Sequence, residues 1–276
     1  MNLERFPQFS SQHVPPRNVD VWLPPEYADE PDMRYPVMYM HDGQNLFFAE
    51  ESFVGVTWGI DQAVRKLIHN GEIRPPIVVG IWNTPNRLGE YMPEYAIPSE
   101  SEQKTIEDQL HQDHTGKPYQ LAGEAYLRFI VTELKPWVDS NYPTLPGRLH
   151  TNLLGSSMGG LFSLYALCRF PEVFGGAASL STPWHIGKSS LLPFFETNLP
   201  DPANHRIYMD LGGKEVANPQ QDQRLQALQS IFNQYAREAG YQENDNFLSL
   251  FFPNHQHNEQ FWSSRVDIPI KFLLAS

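Results

Sequence analysis

Cysteine is almost absent from this sequence of 276 residues, in which Cys168 stands alone. A single cysteine excludes an internal disulfide. The chain also lacks an apolar run of transmembrane length, and its N-terminus lacks the basic and then apolar segments of a signal peptide. We therefore expect a cytoplasmic protein without a membrane partner, although a leader removed earlier would leave the same sequence.

Positive charge is scarce as well. The 20 Lys and Arg residues are outnumbered by 32 Asp and Glu residues, which gives a net charge of −12 at pH 7. Such a chain repels nucleic-acid backbones and anionic lipid surfaces, so neither is an expected partner. Because no internal repeat or low-complexity linker interrupts the chain, we predict a single domain over residues 1–276.

Apolar runs and amphipathic stretches alternate along the chain. Short apolar runs predict strands, and apolar residues at helical spacing predict helices. This alternation predicts an α/β fold with a mainly parallel central sheet that helices cover on both faces. The predicted strands are residues 18–23 (an edge strand), 35–40, 75–82, 150–154, 175–181, 206–211 and 247–252, and the predicted helices are 60–68, 124–138, 161–168, 224–239 and parts of 260–274.

A polar stretch, residues 97–120, interrupts this alternation. We interpret it as a lid or an insertion over the site. It contains His111, Asp113 and His114, but no third ligand with suitable spacing follows, so a metal site there is poorly supported.

The stretch from Leu153 to Leu161 contains the pattern Gly-x-Ser-x-Gly between an apolar run and a helical pattern. In a nucleophile elbow, this pattern places a serine at the tip of a strained turn from strand to helix. The register selects Ser157 as the nucleophile. The alternative is an ordinary Gly-Ser turn, so the rest of the chain must supply a base, an acid and an oxyanion hole.

An oxyanion hole needs two backbone N–H groups near the nucleophile. The residue after the serine, Met158, supplies the first in this architecture. The second is expected from the turn Gly43-Gln44, because a glycine directly after a buried strand lets amide hydrogens point outward. A plain turn between strand and loop is the alternative.

The acid and the base should follow the serine in that order along the chain. Glu215 comes shortly after a predicted strand and is favoured as the acid over Asp210 and Asp222. The alternative for Glu215 is a surface ion pair with Lys214 or Arg224. The base must come from the loop after the last strand, where His257 is favoured over His255. An H-x-H metal pair formed by these two histidines is less well supported.

Two further residues are candidates for substrate binding. Arg87 follows a predicted strand, although an arginine so close to Glu90 more often forms an ion pair that holds a loop. Trp184 emerges at a strand end, where pocket walls form in parallel sheets, and core packing is the alternative.

These parts predict hydrolysis of a small-molecule ester. His257 would take the proton of Ser157, and Ser157 would attack the carbonyl, while amides near Gln44 and Met158 bind the oxyanion and Glu215 orients the imidazole. Water would then hydrolyse the acyl-enzyme. Such a mechanism requires no metal or organic cofactor.

Four ordered motifs resemble the esterase D-like "putative esterase" family, whose members include enterochelin-esterase-like and feruloyl-esterase-like proteins. The resemblance spans about Val19 to Leu273, and its motifs are residues 39–47, Arg87-x-x-Glu90-Tyr91, residues 155–160 and His257-Asn258-Glu259-x-x-Trp262. It implies an α/β-hydrolase fold, carboxylic-ester hydrolysis, and Ser157, Glu215 and His257 as nucleophile, acid and base. Related sequences often have aspartate in a G-x-x-D loop where this chain has Gly-Gly-Lys-Glu at residues 212–215.

Three functions compete on this basis. The first is a serine carboxylesterase for a small or moderate acyl group. The second is a siderophore trilactone or feruloyl-polysaccharide esterase, which a pocket lined by Arg87 or Trp184 would favour. The third is a non-catalytic binding protein on the same fold.

Overall fold

The computed structural model describes residues 2–28, 30, 32–97, 99–110, 115–186, 191–216 and 218–275. Within these residues one sheet of eight strands forms, in the order β1-β2-β4-β3-β5-β6-β7-β8. The strands are β1 Leu3–Phe9, β2 Arg17–Trp22, β3 Val37–His41, β4 Ile77–Ile81, β5 Thr151–Ser156, β6 Gly176–Leu180, β7 Arg206–Lys214 and β8 Phe247–Gln256.

The sheet is mostly parallel, as the alternation of elements predicts. Strands β1, β2 and β4 pair antiparallel, and every other neighbouring pair is parallel. The central strands are buried on both faces, which explains their continuous apolar runs. In β3, for example, Val37 and Tyr39 pack in one core cluster, while Met38 and Met40 pack in the other.

The helices form a layer on each face of the sheet. Side chains of α4, α5, α6, α7 and α8 pack into the first cluster, and those of α1, α9 and α10 pack into the second. The helices are α1 Ile60–His69, α2 Arg87–Glu90, α3 Glu100–Leu110, α4 Gly123–Arg128, α5 Lys135–Asn141, α6 Ser157–Arg169, α7 Leu191–Asn198, α8 Pro219–Glu238, α9 Glu259–Ser263 and α10 Asp267–Leu274. Among the described residues, no helix is both long and apolar enough to cross a membrane.

The edge of the sheet differs from the prediction. Strand β2 lies between β1 and β4, so the expected edge strand at residues 18–23 is an inner strand. The outermost strand on this side is β1, whose polar residues interrupt the apolar alternation that would predict a strand. Pro7 is tolerated there because an edge strand need not donate every backbone hydrogen bond, and Phe6 and Phe9 still pack against the core.

Two helical predictions also change in detail. The helix expected at 124–138 continues from α4 through a π-helical segment, Phe129–Leu134, into α5. The last helical stretch is divided into α9 and α10. Within the predicted lid, residues 100–110 form α3, whereas His111, Asp113 and His114 lie outside the described residues.

Strands β7 and β8 are longer than the apolar patterns predict. Strand β7 continues to Lys214 and β8 to Gln256. Glu215 and His257 therefore follow directly after two neighbouring parallel strands. The carboxyl ends of parallel strands meet at one edge of a sheet, where ligands bind in open α/β sheets.

Candidate active site

A sharp turn joins β5 to α6 at Ser157. The φ angle of Ser157 is 51°, in the left-handed region that side chains rarely adopt. Glycines on either side permit this turn: a Cβ on Gly155 would lie 2.5 Å from the carbonyl carbon of Gly159, and one on Gly159 would lie 3.0 Å from Cβ of His41. The strand, strained serine and helix expected of a nucleophile elbow are all present here.

The first turn of α6 presents free amides beside Ser157. Ser156 precedes the helix, and its side chain makes no capping hydrogen bond. The first N–H groups of a helix have no acceptor within the helix. The amide of Met158 is one of these groups, so it can bind a negatively charged oxygen next to Ser157.

A second set of amides follows β3. Asp42 has a left-handed φ of 57°, and residues 43–45 form a single 3₁₀ turn in which Asn45 N donates to Asp42 O at 2.9 Å. That bond leaves the N–H groups of Gly43 and Gln44 without an acceptor inside the turn. A Cβ on Gly43 would lie 2.7 Å from the carbonyl carbon of Gly80, so only glycine lets this turn approach β4 so closely.

The side chain of Asp42 is held by three neighbours. Arg87 donates from Nε to Oδ1 and from Nη2 to Oδ2, each at 2.7 Å, and Asn83 Nδ2 donates to Oδ1 at 2.6 Å. The Tyr91 hydroxyl donates to Oδ1 at 3.2 Å. Burial alone would raise the pKa of Asp42, but the charge and hydrogen bonds of Arg87 outweigh it and lower this pKa.

These contacts revise the interpretation of Arg87. Its partner is Asp42, whereas Glu90 forms a buried ion pair with Arg17, with Nη2 and Oε1 2.7 Å apart. The short spacing of Arg87 and Glu90 in the sequence favours an ion pair between them. Both residues lie on the short helix α2, but each pairs with a residue from another part of the chain. Since Asp42 occupies two of its donors, Arg87 is better placed to hold the turn at residues 42–45 than to bind substrate.

Glu215 and His257 are in direct contact. Nδ1 of His257 lies 2.6 Å from Oε2 of Glu215. The other carboxylate oxygen, Oε1, accepts from Gly212 N at 2.5 Å and from Ser181 Oγ at 2.8 Å. Burial alone would raise the pKa of Glu215, but His257 and these two donors outweigh it and lower this pKa. Glu215 is only 7% exposed, so it forms no surface ion pair with Lys214 or Arg224.

The rival acids have other roles. Asp210 is fully buried and pairs with Arg265, with Oδ1 and Nη2 2.9 Å apart. Asp222 lies in the first turn of α8 and accepts a hydrogen bond from Val216 N at 2.8 Å. Both carboxylates are therefore committed to structural contacts.

The two candidate histidines also differ. Nδ1 of His255 accepts from Arg265 at 2.9 Å, and its ring stacks on Phe252. A guanidinium at that nitrogen disfavours a metal ion, which speaks against the H-x-H alternative. The His257 ring packs edge-on against Trp262, and its side chain is 30% exposed. Asn258 accepts from Phe261 N and so starts α9 directly after His257.

Ser157 and His257 both lie at the carboxyl end of the sheet, directly after β5 and β8. Within the described residues no hydrogen bond joins Ser157 Oγ to the imidazole, and Nε2 of His257 has no partner there either. Catalytic hydrogen bonds often tighten only when substrate is bound. The half-buried hydroxyl and the free Nε2 are therefore both available for reaction.

Trp184 lies in the core and not in a pocket wall. It is 1% exposed, its Nε1 donates to Gln229 at 2.7 Å, and its ring packs against Phe195 and Phe232. The expectation that Trp184 contacts substrate is therefore wrong for this conformation, and the core-packing alternative applies.

Known proteins resemble this chain in sequence. Residues 10–266 match the family described as "Putative esterase". The chain belongs to this esterase family. The uncharacterized protein YbbA of Bacillus subtilis (strain 168) is 24% identical over 248 residues, which cover 89% of this chain and 88% of that protein.

Solved structures share the fold of this esterase family member. A ferulic acid esterase superposes with a TM-score of 0.69 at 17% identity, covering 99% of this chain and 97% of that chain. The enterobactin esterase FES from Shigella flexneri, in the presence of enterobactin, gives a TM-score of 0.70 at 18% identity, covering 99% of this chain and 58% of that chain. The family and the shared fold support an esterase.

The most important site residue without a sequence signal is Ser181. Its φ of 52° is left-handed, and its hydroxyl donates to Glu215 while accepting from Trp262 Nε1 at 2.9 Å and Arg265 Nη2 at 3.1 Å. In this esterase, Ser181 therefore links Glu215 to two buried donors. Trp262 belongs to a recognisable motif, but nothing around Ser181 in the sequence distinguishes it from a loop serine.

Proposed function

We propose that the protein is a serine carboxylesterase in which Ser157 is the nucleophile, His257 the base and Glu215 the acid. The observation that carries the proposal is the 2.6 Å contact between Glu215 and His257 at the sheet edge where the strained Ser157 also lies. A buried carboxylate that holds Nδ1 leaves Nε2 as the nitrogen that accepts a proton.

The proposed reaction forms an acyl-enzyme and then hydrolyses it. Nε2 of His257 takes the proton of Ser157 Oγ as the oxygen bonds to the ester carbonyl carbon, and the amides of Gln44 and Met158 bind the oxyanion. His257 then gives its proton to the leaving alcohol as the ester bond breaks. A water molecule, activated by His257, hydrolyses the acyl-enzyme and restores Ser157. Each amide donor is expected to contribute about 10²–10³ in rate.

The proposed substrate is a small-molecule ester. Structural neighbours include a ferulic acid esterase and an enterobactin esterase, but neither of the two residues that would favour such substrates here is free to line a pocket. Arg87 is bound to Asp42, and Trp184 is buried. These placements favour a simple carboxylesterase over the siderophore or feruloyl alternative.

Covalent labelling tests the proposal. We expect a fluorophosphonate to add one phosphonyl group to the wild-type protein and none to Ser157→Ala, with intact-mass spectrometry as the measurement. Ser156→Ala is the matched control, because Ser156 is the neighbouring serine but is buried, with 4% of its surface exposed, and this variant should be labelled. Labelling of Ser157→Ala at the same rate would reject the assignment of Ser157 as the nucleophile, whereas a wild-type protein that is not labelled would favour a binding protein on this fold.

A further inference from the structure

The segment 48–57 leaves the turn at residues 42–45 and returns to it. Asn45, the residue after Gln44, anchors both parts: its Oδ1 accepts from Phe53 N at 3.0 Å, and its carbonyl oxygen accepts from Trp58 N at 2.8 Å. The backbone at Phe53 and at Trp58 is thus held against the residue next to the second proposed oxyanion donor.

Trp58, directly after the segment, is linked to the proposed base through one aromatic ring. The Trp58 ring lies 6.0 Å from the Trp262 ring, which in turn lies 4.9 Å from the His257 ring. Ser263 Oγ also donates to the carbonyl oxygen of Trp58 at 3.1 Å. Trp58, the residue after the segment, therefore joins the turn after β3 to helix α9, at the same end of the sheet as Ser157.

Three apolar side chains of this segment face solvent. Phe53 is 84% exposed, Val54 is 51% exposed and Val56 is 36% exposed; we call these three the apolar rim. Their backbone is ordered by local bonds, since Ser52 Oγ donates to the carbonyl oxygen of Val56 at 2.6 Å. Neighbouring exposed apolar side chains at the edge of a site are typical of a surface that binds an apolar group.

We propose that the apolar rim is the subsite for an uncharged alkyl or aryl group of the ester substrate. The proposal rests on the proposed function, because the rim is placed by the contacts of its segment with the turn at residues 42–45 and by those of Trp58 with helix α9. The protein's net charge of −12 also disfavours substrates that carry negative charge. An apolar group laid across Phe53 would leave water as the carbonyl enters the site.

The preference of the enzyme for longer ester chains tests whether the substrate contacts the apolar rim. In Phe53→Ala we expect the ratio of kcat/KM for p-nitrophenyl hexanoate to that for p-nitrophenyl acetate to fall about tenfold, the lower end of what apolar contacts contribute to specificity. A second series, with acetate esters of ethyl, hexyl and phenyl alcohols, detects a rim that binds the alcohol side instead. A drop in selectivity in either series supports the proposal, and Val54→Ser should lower it in the same series.

Leu149→Ala is the matched control. Leu149 is 61% exposed but precedes β5, whereas Ser157 follows it, so the two residues lie at opposite ends of this strand. Selectivity should therefore not change in Leu149→Ala. Equal selectivity of Phe53→Ala and wild type in both series would overturn the proposal, as would a loss seen only with micellar or vesicle-bound esters, which would assign the rim to a lipid surface. Failure of the proposed function is a separate result, namely no hydrolysis of any ester by the wild-type protein.

Discussion

Replacing Arg87 by glutamine should slow catalysis by displacing the turn that carries Gln44. Arg87 makes two charged hydrogen bonds of 2.7 Å to Asp42, and Asp42 holds a left-handed φ of 57°. A left-handed residue costs about 1–2 kcal/mol, so Asp42 needs its partners to keep this conformation. Without Arg87, the donors that Asp42 retains among the described residues are Asn83 and Tyr91.

The expected magnitudes follow from these contacts. Breaking a buried ion pair costs about 3–5 kcal/mol, but the Arg87 side chain is 27% exposed, so we expect a loss of about 2 kcal/mol of stability. Removal of an oxyanion donor lowers kcat by about 10²–10³. Because the Gln44 amide would be displaced and not removed, a decrease of about 10- to 100-fold in kcat is expected, with KM changed less than about threefold.

Steady-state hydrolysis of p-nitrophenyl acetate, with thermal unfolding measured in parallel, tests this reasoning. Arg87→Lys should give an intermediate kcat, because an ammonium keeps the charge but cannot form the two-pronged contact. An Arg87→Gln protein that unfolds at a lower temperature but keeps the wild-type kcat would show that Arg87 only stabilises the fold. A selective rise in KM would instead indicate that Arg87 binds substrate.

Two further predictions concern titratable groups. Ser181→Ala removes a hydrogen bond that lowers the pKa of Glu215. We expect kcat to fall several-fold and the acid limb of the pH profile of kcat/KM to move to higher pH. An unchanged pH profile would contradict the role given to Ser181. Burial lowers the pKa of His41 from 6.5 to about 4, so the neutral ring stabilises the fold above pH 6.5, and as the pH falls to 4 the free energy of unfolding should decrease by about 3 kcal/mol. His41→Asn should flatten that pH dependence in urea titrations, and an equally steep decrease in the variant would assign it to other groups.

Local patterns were sufficient to predict the fold and the turn at Ser157. The strand before Ser157, the helix after it and the flanking glycines each follow from short-range sterics and hydrophobic periodicity. The contact between Glu215 and His257 was also predictable, because chain order and strand ends place both residues at one edge of the sheet. The absence of a hydrogen bond between Ser157 and His257 in this structure was not.

Long-range contacts could not be read from the sequence. Arg87 lies three residues from Glu90, yet its partner Asp42 is 45 positions away, and nothing local separates these alternatives. Trp184 follows a strand end, as a pocket residue would, but the later helix α8 covers it with Phe232 and Gln229. Strand β1 has too little apolar alternation for its pairing with β2 to be evident without the rest of the sheet.

The most direct test of the central claim is the rate at which Ser157→Ala hydrolyses p-nitrophenyl acetate relative to the wild-type protein. If Ser157 Oγ forms the acyl-enzyme, kcat should fall by about 10⁴ or more, with the residual rate due to the remaining oxyanion donors and to binding. A variant that hydrolyses the ester as fast as the wild-type protein would contradict the nucleophile assignment and the mechanism built on it.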